Sequence, residues 1–187
     1  MTTILGISGS LRRDSHNTNL LLAAAEAAGP DVELELYEGL ELVPPYNEDD
    51  DVEPRPDAVA RLNRAIAEAD GVLFSTPEYN ASIPGQLKNA IDWVSRPVAT
   101  NPLRNKPVAV VGASTGAFGA VWAQAELRKV LSSLGARVLD HEIPVGHAHT
   151  RFDGGQLVDE EIRERLAEAI ESLRAEARAR GEVEAPV

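Results

Sequence analysis

Thr3-Ile4-Leu5-Gly6-Ile7 runs directly into Ser8-Gly9-Ser10-Leu11-Arg12-Arg13-Asp14-Ser15-His16-Asn17-Thr18-Asn19, and an alanine- and leucine-rich run, Leu20 to Ala28, follows at once. An apolar strand pattern, a short loop dense in hydroxyls and arginine, and a helical pattern in that order predict a strand–loop–helix unit. Such a unit is a ready-made anion site. The first N–H groups of a helix have no intrahelical partner, and the helix dipole favours negative charge at that end. Ser10, Ser15, Asn17 and Thr18 can add side-chain donors, and Arg12 can form a bidentate pair with a phosphate. A lone Ser15 or Asn17 would suffice as an N-cap. The loop carries several such residues with arginines beside them, so phosphate binding is the stronger expectation.

Working outward, short β-type runs alternate with longer helical ones, the mark of βαβ units around a parallel sheet. Strands are expected at Thr3–Ile7, Val32–Leu36, Gly71–Ser75, Pro107–Gly112 and Arg137–Glu142. Helices are expected near Thr18–Ala28, Pro56–Ala69, Pro84–Ser95, Ala120–Leu134 and Asp159–Arg180. Val72-Leu73-Phe74 and Val108-Ala109-Val110-Val111 are continuous apolar runs, as central strands covered on both faces require. Val32-Glu33-Leu34-Glu35-Leu36 alternates instead and suits an edge strand. Gly29-Pro30 and Gly135 close the first and fourth helices, and Pro84 opens the third. The longest irregular stretch, Tyr37–Arg55, includes Val43-Pro44-Pro45-Tyr46 and the acidic run Glu48–Asp51, which reads as a solvated loop.

The chain of 187 residues has no internal repeat and no linker, so a single domain over 1–187 is expected, with the last few residues a disordered tail. A net charge of −12 repels nucleic acid and anionic lipid over most of the surface, so neither is an expected partner. No run approaches the length of a membrane span, and Met1-Thr2-Thr3 lacks the layout of a signal peptide. With no cysteine there is no disulfide, no thiolate nucleophile and no cysteine-ligated metal, and a cytoplasmic location is expected. The Asp159–Arg180 stretch pairs opposite charges at helical spacing, as a solvated amphipathic helix does.

Five parallel strands allow an open doubly wound sheet of order 2-1-3-4-5 or half of a dinucleotide fold. In either, ligands lie outside the carboxyl ends of the strands, beside strand one. The polar turns are concentrated there. After strand three comes Thr76-Pro77-Glu78-Tyr79-Asn80-Ala81-Ser82-Ile83-Pro84-Gly85-Gln86-Leu87-Lys88-Asn89-Ala90-Ile91-Asp92-Trp93, and after strand four Gly112-Ala113-Ser114-Thr115-Gly116-Ala117-Phe118-Gly119. The first offers an aromatic wall and backbone donors, the needs of a flat heteroaromatic ring; the second offers small residues that let a ligand approach the backbone.

Gly9-Ser10-Leu11-Arg12 with Ser15 and Asn17, then Thr76-Pro77-Glu78-Tyr79-Asn80 leading into Ile83-Pro84-Gly85-Gln86-Leu87-Lys88-Asn89-Ala90-Ile91-Asp92-Trp93, resembles the NAD(P)H-dependent FMN reductase family. That family includes flavodoxin-like quinone, chromate and azo-dye reductases, and the likeness runs from about Ile4 to the final helix. The resemblance implies an α/β flavodoxin-like three-layer sandwich, a resident FMN, and NADPH or NADH as a transient co-substrate. It implies ping-pong transfer to a small-molecule electron acceptor: a quinone, an azo or nitro compound, chromate or free flavin. It also implies that Ser10, Arg12, Ser15 and Asn17, with the His16 backbone N–H, hold the FMN phosphate. By the same likeness Pro77, Glu78, Tyr79 and Asn80 flank the isoalloxazine, and Ser114 and Gly116 approach it. A homodimer or homotetramer is implied as well, with Trp93, Trp122 and the Pro44-Pro45-Tyr46 loop as candidate interface surface. Family members often carry paired glycines where this chain has Gly119-Ala120.

Other chemistries have less in the sequence to stand on. There is no G-x-x-x-x-G-K-[ST] loop, and Gly6-Ile7-Ser8-Gly9 is not a G-x-G-x-x-G fingerprint. His147-Ala148-His149 without a nearby carboxylate pair is a weak metal pattern, and no G-x-S-x-G elbow supports a serine hydrolase. No catalytic acid or base is nominated. Two alternatives are an electron-carrying flavodoxin, whose phosphate loop is typically rich in threonine and glycine without arginine, and a flavin-free binding module.

Overall fold

The computed structural model describes residues 1–184, so the expected tail falls mostly outside the described residues. Its main strands are β1 (Thr2–Ser8), β2 (Val32–Leu36), β3 (Gly71–Ser75), β4 (Pro107–Ala113), β5 (Arg137–Val138) and β6 (Ile143–Val145). The helices are α1 (His16–Ala27), α2 (Asp57–Glu68), α3 (Gly85–Val94), α4 (Val121–Ser133) and α5 (Glu160–Glu184). All pairings in this sheet are parallel, in the order β2-β1-β3-β4-β5, with β6 also on β4. Of the two layouts open to the sequence, this is the flavodoxin-like one.

Period-two alternation along the strands builds two cores. Ile4, Leu73, Ala109 and Val111 face α1 and α5, meeting Leu20, Leu21, Leu166 and Ile170. Leu5, Ile7, Val72, Phe74, Val108 and Val110 face the other way, onto α2, α3 and α4 through Val59, Leu62, Leu87, Ile91 and Leu127. The central β3 and β4 are buried throughout, whereas β2 alternates half-buried and exposed, as its Val-Glu-Leu-Glu-Leu pattern predicts. Helix α4 ends where Gly135 takes φ +83°, with Gly135 N–H donating to the Ser132 carbonyl and Ala136 N–H to that of Leu131, a Schellman closure. The Lys106 ammonium, 2% exposed, donates to the carbonyls of Ala67 and Ala69 and so places its charge at the carboxyl end of α2.

Two features depart from the sequence reading. The single fifth strand expected at Arg137–Glu142 is broken into β5 and β6, both on β4. Distant arginines take over the carbonyls at the break: Arg128 donates to the His141 carbonyl and the Asp140 carboxylate, each at 2.6 Å, and Arg165 to the Glu142 carbonyl. A small antiparallel hairpin, β7 (Phe152–Asp153) and β8 (Gln156–Leu157), also precedes α5. It turns through Gly154 and Gly155, both at positive φ.

The long 37–55 stretch is docked rather than loose. Gln86 donates to the carbonyls of Leu40 and Val43, at 2.7 and 2.9 Å. Asn89 accepts from Tyr46 N–H at 2.7 Å, and Asn89 and Trp93 both donate to the Pro44 carbonyl at 2.8 Å. Trp93 is fully buried and meets Tyr46 edge-on, so it belongs to the monomer core and not to a surface. Asp51, in the acidic run, pairs with Arg55 at 2.6 Å.

Candidate active site

The loops after β1, β3 and β4 meet at the carboxyl edge of the sheet, and one side chain joins them. Asn17, in the first turn of α1 and 3% exposed, accepts from Ala113 N–H (2.9 Å) and Ser75 Oγ (3.0 Å) and donates to the Ala113 carbonyl (3.0 Å). Its amide is thereby committed to β3 and β4, while the residue still forms part of the wall of the site. Gly9 N–H bonds the Ser75 carbonyl at 2.8 Å. A Cβ at Gly9 would come within 2.8 Å of Leu87 Cδ2 and touch Pro77 Cδ at 3.4 Å, so a larger residue there would have to displace the buried Leu87 side chain.

A hollow of about 130 Å³ opens between the loops. The first loop contributes Ser10, Arg12, Ser15, His16 and Asn17, the second Pro77, Glu78 and Tyr79, and the third Ala113, Ser114 and Thr115. Ser15 is the N-cap of α1 and accepts from the N–H groups of Asn17 and Thr18 at 3.2 and 3.3 Å, leaving its hydroxyl proton to donate. Arg12 is exposed, and its guanidinium makes no hydrogen bond or ion pair among the described residues. His16 stacks on Phe152 of β7 with ring centroids 5.4 Å apart, and its Nδ1 is shielded from water without a partner. Burial first, then the positive charges of Arg12 and His149, hold the His16 imidazole below its ordinary pKa.

In the second loop Tyr79 and Ser82 exchange backbone hydrogen bonds at 3.1 Å around Asn80 and Ala81, whose φ values are 52° and 59°. This is the geometry of a primed tight turn. Tyr79 is left half-exposed at the hollow, while Asn80 stands at the tip of the turn, away from the lining. Glu78 Oε2 accepts from Trp122 and Ala123 N–H, both at 3.0 Å, and Ser82 Oγ donates to Glu126 at 2.6 Å.

The third loop folds back on itself. Gly116 N–H donates to Ser114 Oγ (3.1 Å), and His147 N–H to the Gly116 carbonyl (2.9 Å), so Gly116 supports Ser114 without lining the hollow. Gly119 has φ +58°, and a Cβ there would lie 2.5 Å from backbone atoms of Pro144 and Val145. Ala120 follows at φ 61°. Alanine thus keeps the left-handed path that paired glycines would take, at a cost of roughly 1–2 kcal/mol.

The NADPH-dependent FMN reductase family model matches residues 2–150, across all three loops. The chain belongs to that family. It is 42% identical over 172 residues to an NAD(P)H-dependent FMN reductase of Pseudomonas aeruginosa, covering 91% of this chain and 92% of that one. It is 40% identical over 162 residues to a 2-hydroxy-1,4-benzoquinone reductase of a Burkholderia species, with 86% and 87% covered. Among solved structures it is similar to FerB, a flavoenzyme NAD(P)H:(acceptor) oxidoreductase of Paracoccus denitrificans, with a TM-score of 0.85 at 35% identity over 96% of this chain and 98% of that one.

Sequence reasoning passed over Ala113 and Thr115 as lining residues, although both flank Ser114 in the expected loop. It also gave no role to Phe118, which forms an exposed edge-on pair with Trp122, ring centroids 5.1 Å apart. Among the described residues no group of three or more His, Asp or Glu side chains is placed to hold a metal ion, and no helix is long and apolar enough to cross a membrane.

The lowered His16 pKa has a pH consequence. Unfolding restores the ordinary value of 6.5, so just below that pH the unfolded chain binds a proton that the folded chain does not. Stability from this group is therefore present above 6.5 and declines as pH falls toward the depressed folded value. His16→Gln should flatten this part of the profile, measured by urea unfolding of flavin-free protein between about pH 7.5 and about pH 5.5. Parallel profiles for the two proteins would show that His16 carries no such linkage.

Proposed function

We propose that this chain oxidises NADH or NADPH and passes the reducing equivalents, in two half-reactions at one site, to quinones and related small electrophiles. The observation that carries this reading is the exposed Arg12, without a partner among the described residues, beside Ser10 and Ser15 in the loop before α1, lining the same hollow as Pro77, Tyr79 and Ser114. Those groups fit FMN: a cation and hydroxyl donors for its phosphate at one end, an apolar and aromatic wall for its ring at the other. Arg12, Ser10 and Ser15 would hold the phosphate, with the His16 backbone N–H closing a cradle that Asn17 braces through its bonds to Ser15 and Ala113. Pro77 and Tyr79 would wall the ring, with Glu78 and Asn80 holding that wall's shape and Gly116 supporting Ser114 on the opposite side. When bound, FMN supplies the hydride-accepting and hydride-donating chemistry. The protein's own work is to position two flat partners in turn over one site and to limit water there. No side-chain acid or base is assigned, and the location is taken to be the cytoplasm, where reduced nicotinamides are at hand.

A hollow of about 130 Å³ is smaller than a whole flavin nucleotide, so part of the ligand would extend beyond it. Tyr79, which lines the hollow, stands half-exposed, and so do Phe118 and Trp122 at the start of α4, where the Trp122 N–H meets Glu78. A homodimer or homotetramer that covers the ring end is therefore part of the proposal, with Trp122 rather than the buried Trp93 at the contact.

The protein should purify yellow and oxidise NADH or NADPH with a benzoquinone acceptor, giving parallel double-reciprocal lines. A yellow protein without nicotinamide oxidation would be a carrier, and a colourless protein that takes up no flavin would be a binding module. Arg12→Ala should weaken FMN by roughly 1.5–3 kcal/mol while leaving riboflavin, which lacks the phosphate, nearly unchanged. Equal weakening of both would remove Arg12 from the phosphate site. Sedimentation at low micromolar concentration should show at least a dimer; a fully active 20.1 kDa monomer would overturn the shared-site reading.

A further inference from the structure

Helix α4 begins without a cap of its own. The residue before its first turn, Ala120, has no side-chain acceptor and sits in the left-handed region. A helix start leaves its first N–H groups open. Here two of them, at Trp122 and Ala123, are taken by a single carboxylate oxygen of Glu78, both at 3.0 Å and from 44 or more residues away in the chain. The negative charge also complements the positive end of the α4 dipole. A second tie, Ser82 to Glu126 at 2.6 Å, fastens the far side of the same tight turn one helical turn further along α4. Between the ties lies the Tyr79–Ser82 turn, and across the hollow stand Ser114 and Thr115, on the loop that runs into α4.

We propose that Glu78 is a positioning residue that serves as the N-cap of α4 from another loop and thereby sets the separation of the two loops that receive the flavin ring. This rests on the cofactor reading above. A carboxylate held by two N–H groups at a helix start is an anion site filled by the protein itself. Emptying it by truncation leaves a hole shaped for a small carboxylate from solution. The position of Glu78 acts on the ring end of the site and not on the phosphate end, where Ser10, Arg12 and Ser15 lie.

The test compares wild type, Glu78→Ala and Glu78→Gln, each reconstituted with FMN or riboflavin, with and without sodium formate and with sodium chloride as the ionic control. In Glu78→Ala both flavins should weaken by a similar factor, about tenfold, because a charge-assisted pair of bonds is lost while the phosphate grip stays. Formate, but not chloride, should restore part of that affinity. Formate should also raise the thermal midpoint of flavin-free Glu78→Ala and leave wild type unmoved. Glu78→Gln keeps an acceptor oxygen and loses only the charge, so it should fall between the two and carries the comparison if the alanine variant does not fold.

Wild-type affinity for both flavins in Glu78→Ala would overturn the proposal, as would a loss confined to FMN or a formate effect no larger than that of chloride. A wild-type protein that binds neither flavin would instead overturn the cofactor reading. The formate-dependent midpoint of flavin-free Glu78→Ala would then still decide whether Glu78 caps α4.

Discussion

The buried amide of Asn17 is the constraint on which the functional edge of the sheet depends. Parallel strands end with unpaired backbone groups, and here β3 and β4 end beside a loop that must stay open for a ligand. Asn17 reaches across from the first turn of α1, pairs with both the N–H and the carbonyl of Ala113, and takes the hydroxyl of Ser75 as well. Leaving those groups unmet in a buried setting would cost about 1–3 kcal/mol each. Helix α1, whose first turn borders the hollow, is thereby joined to the strand that leads into the opposite wall. The loops are held by shared hydrogen bonds, not by contact alone.

Around that joint, charge is distributed with economy. Ser15 caps α1, Glu78 caps α4 from a distance, and Lys106 sits on the carboxyl end of α2. Three helix ends are thus answered from within the fold, in a chain whose net charge is −12. Arg12 is the exception within the hollow: a cation with no partner among the described residues, on an otherwise anion-repelling molecule. An anionic ligand is repelled by the net charge and attracted by Arg12 within the hollow, which orients its approach as well as its binding.

Much of this was legible in the sequence because strand burial and helix amphipathicity leave periodic traces. The continuous apolar runs of β3 and β4, the alternating Val32–Leu36 and the strand–loop–helix order around the polar turn after β1 all read correctly. The broken fifth strand did not, since its carbonyls are satisfied by Arg128 and Arg165, which are remote in sequence and carry no local signal. The hairpin at 152–157 had a signal in Asp153-Gly154-Gly155, but its strands are too short to show alternation. The finer roles were the least visible. Composition brings Asn17 to the loop, yet only the tertiary structure shows its amide tied to β3 and β4, and the same holds for Glu78 and α4.

The turn from Tyr79 to Ser82 bears on how tightly a ligand can be held. Asn80 and Ala81 both occupy left-handed backbone conformations, and the flanking residues close the turn with two hydrogen bonds. Alanine at such a position carries strain, but it also has fewer alternative shapes than glycine. The segment is therefore stiff before any ligand arrives, and little ordering entropy remains to be lost on binding. A flat ligand packing on Tyr79 would then meet a wall already formed.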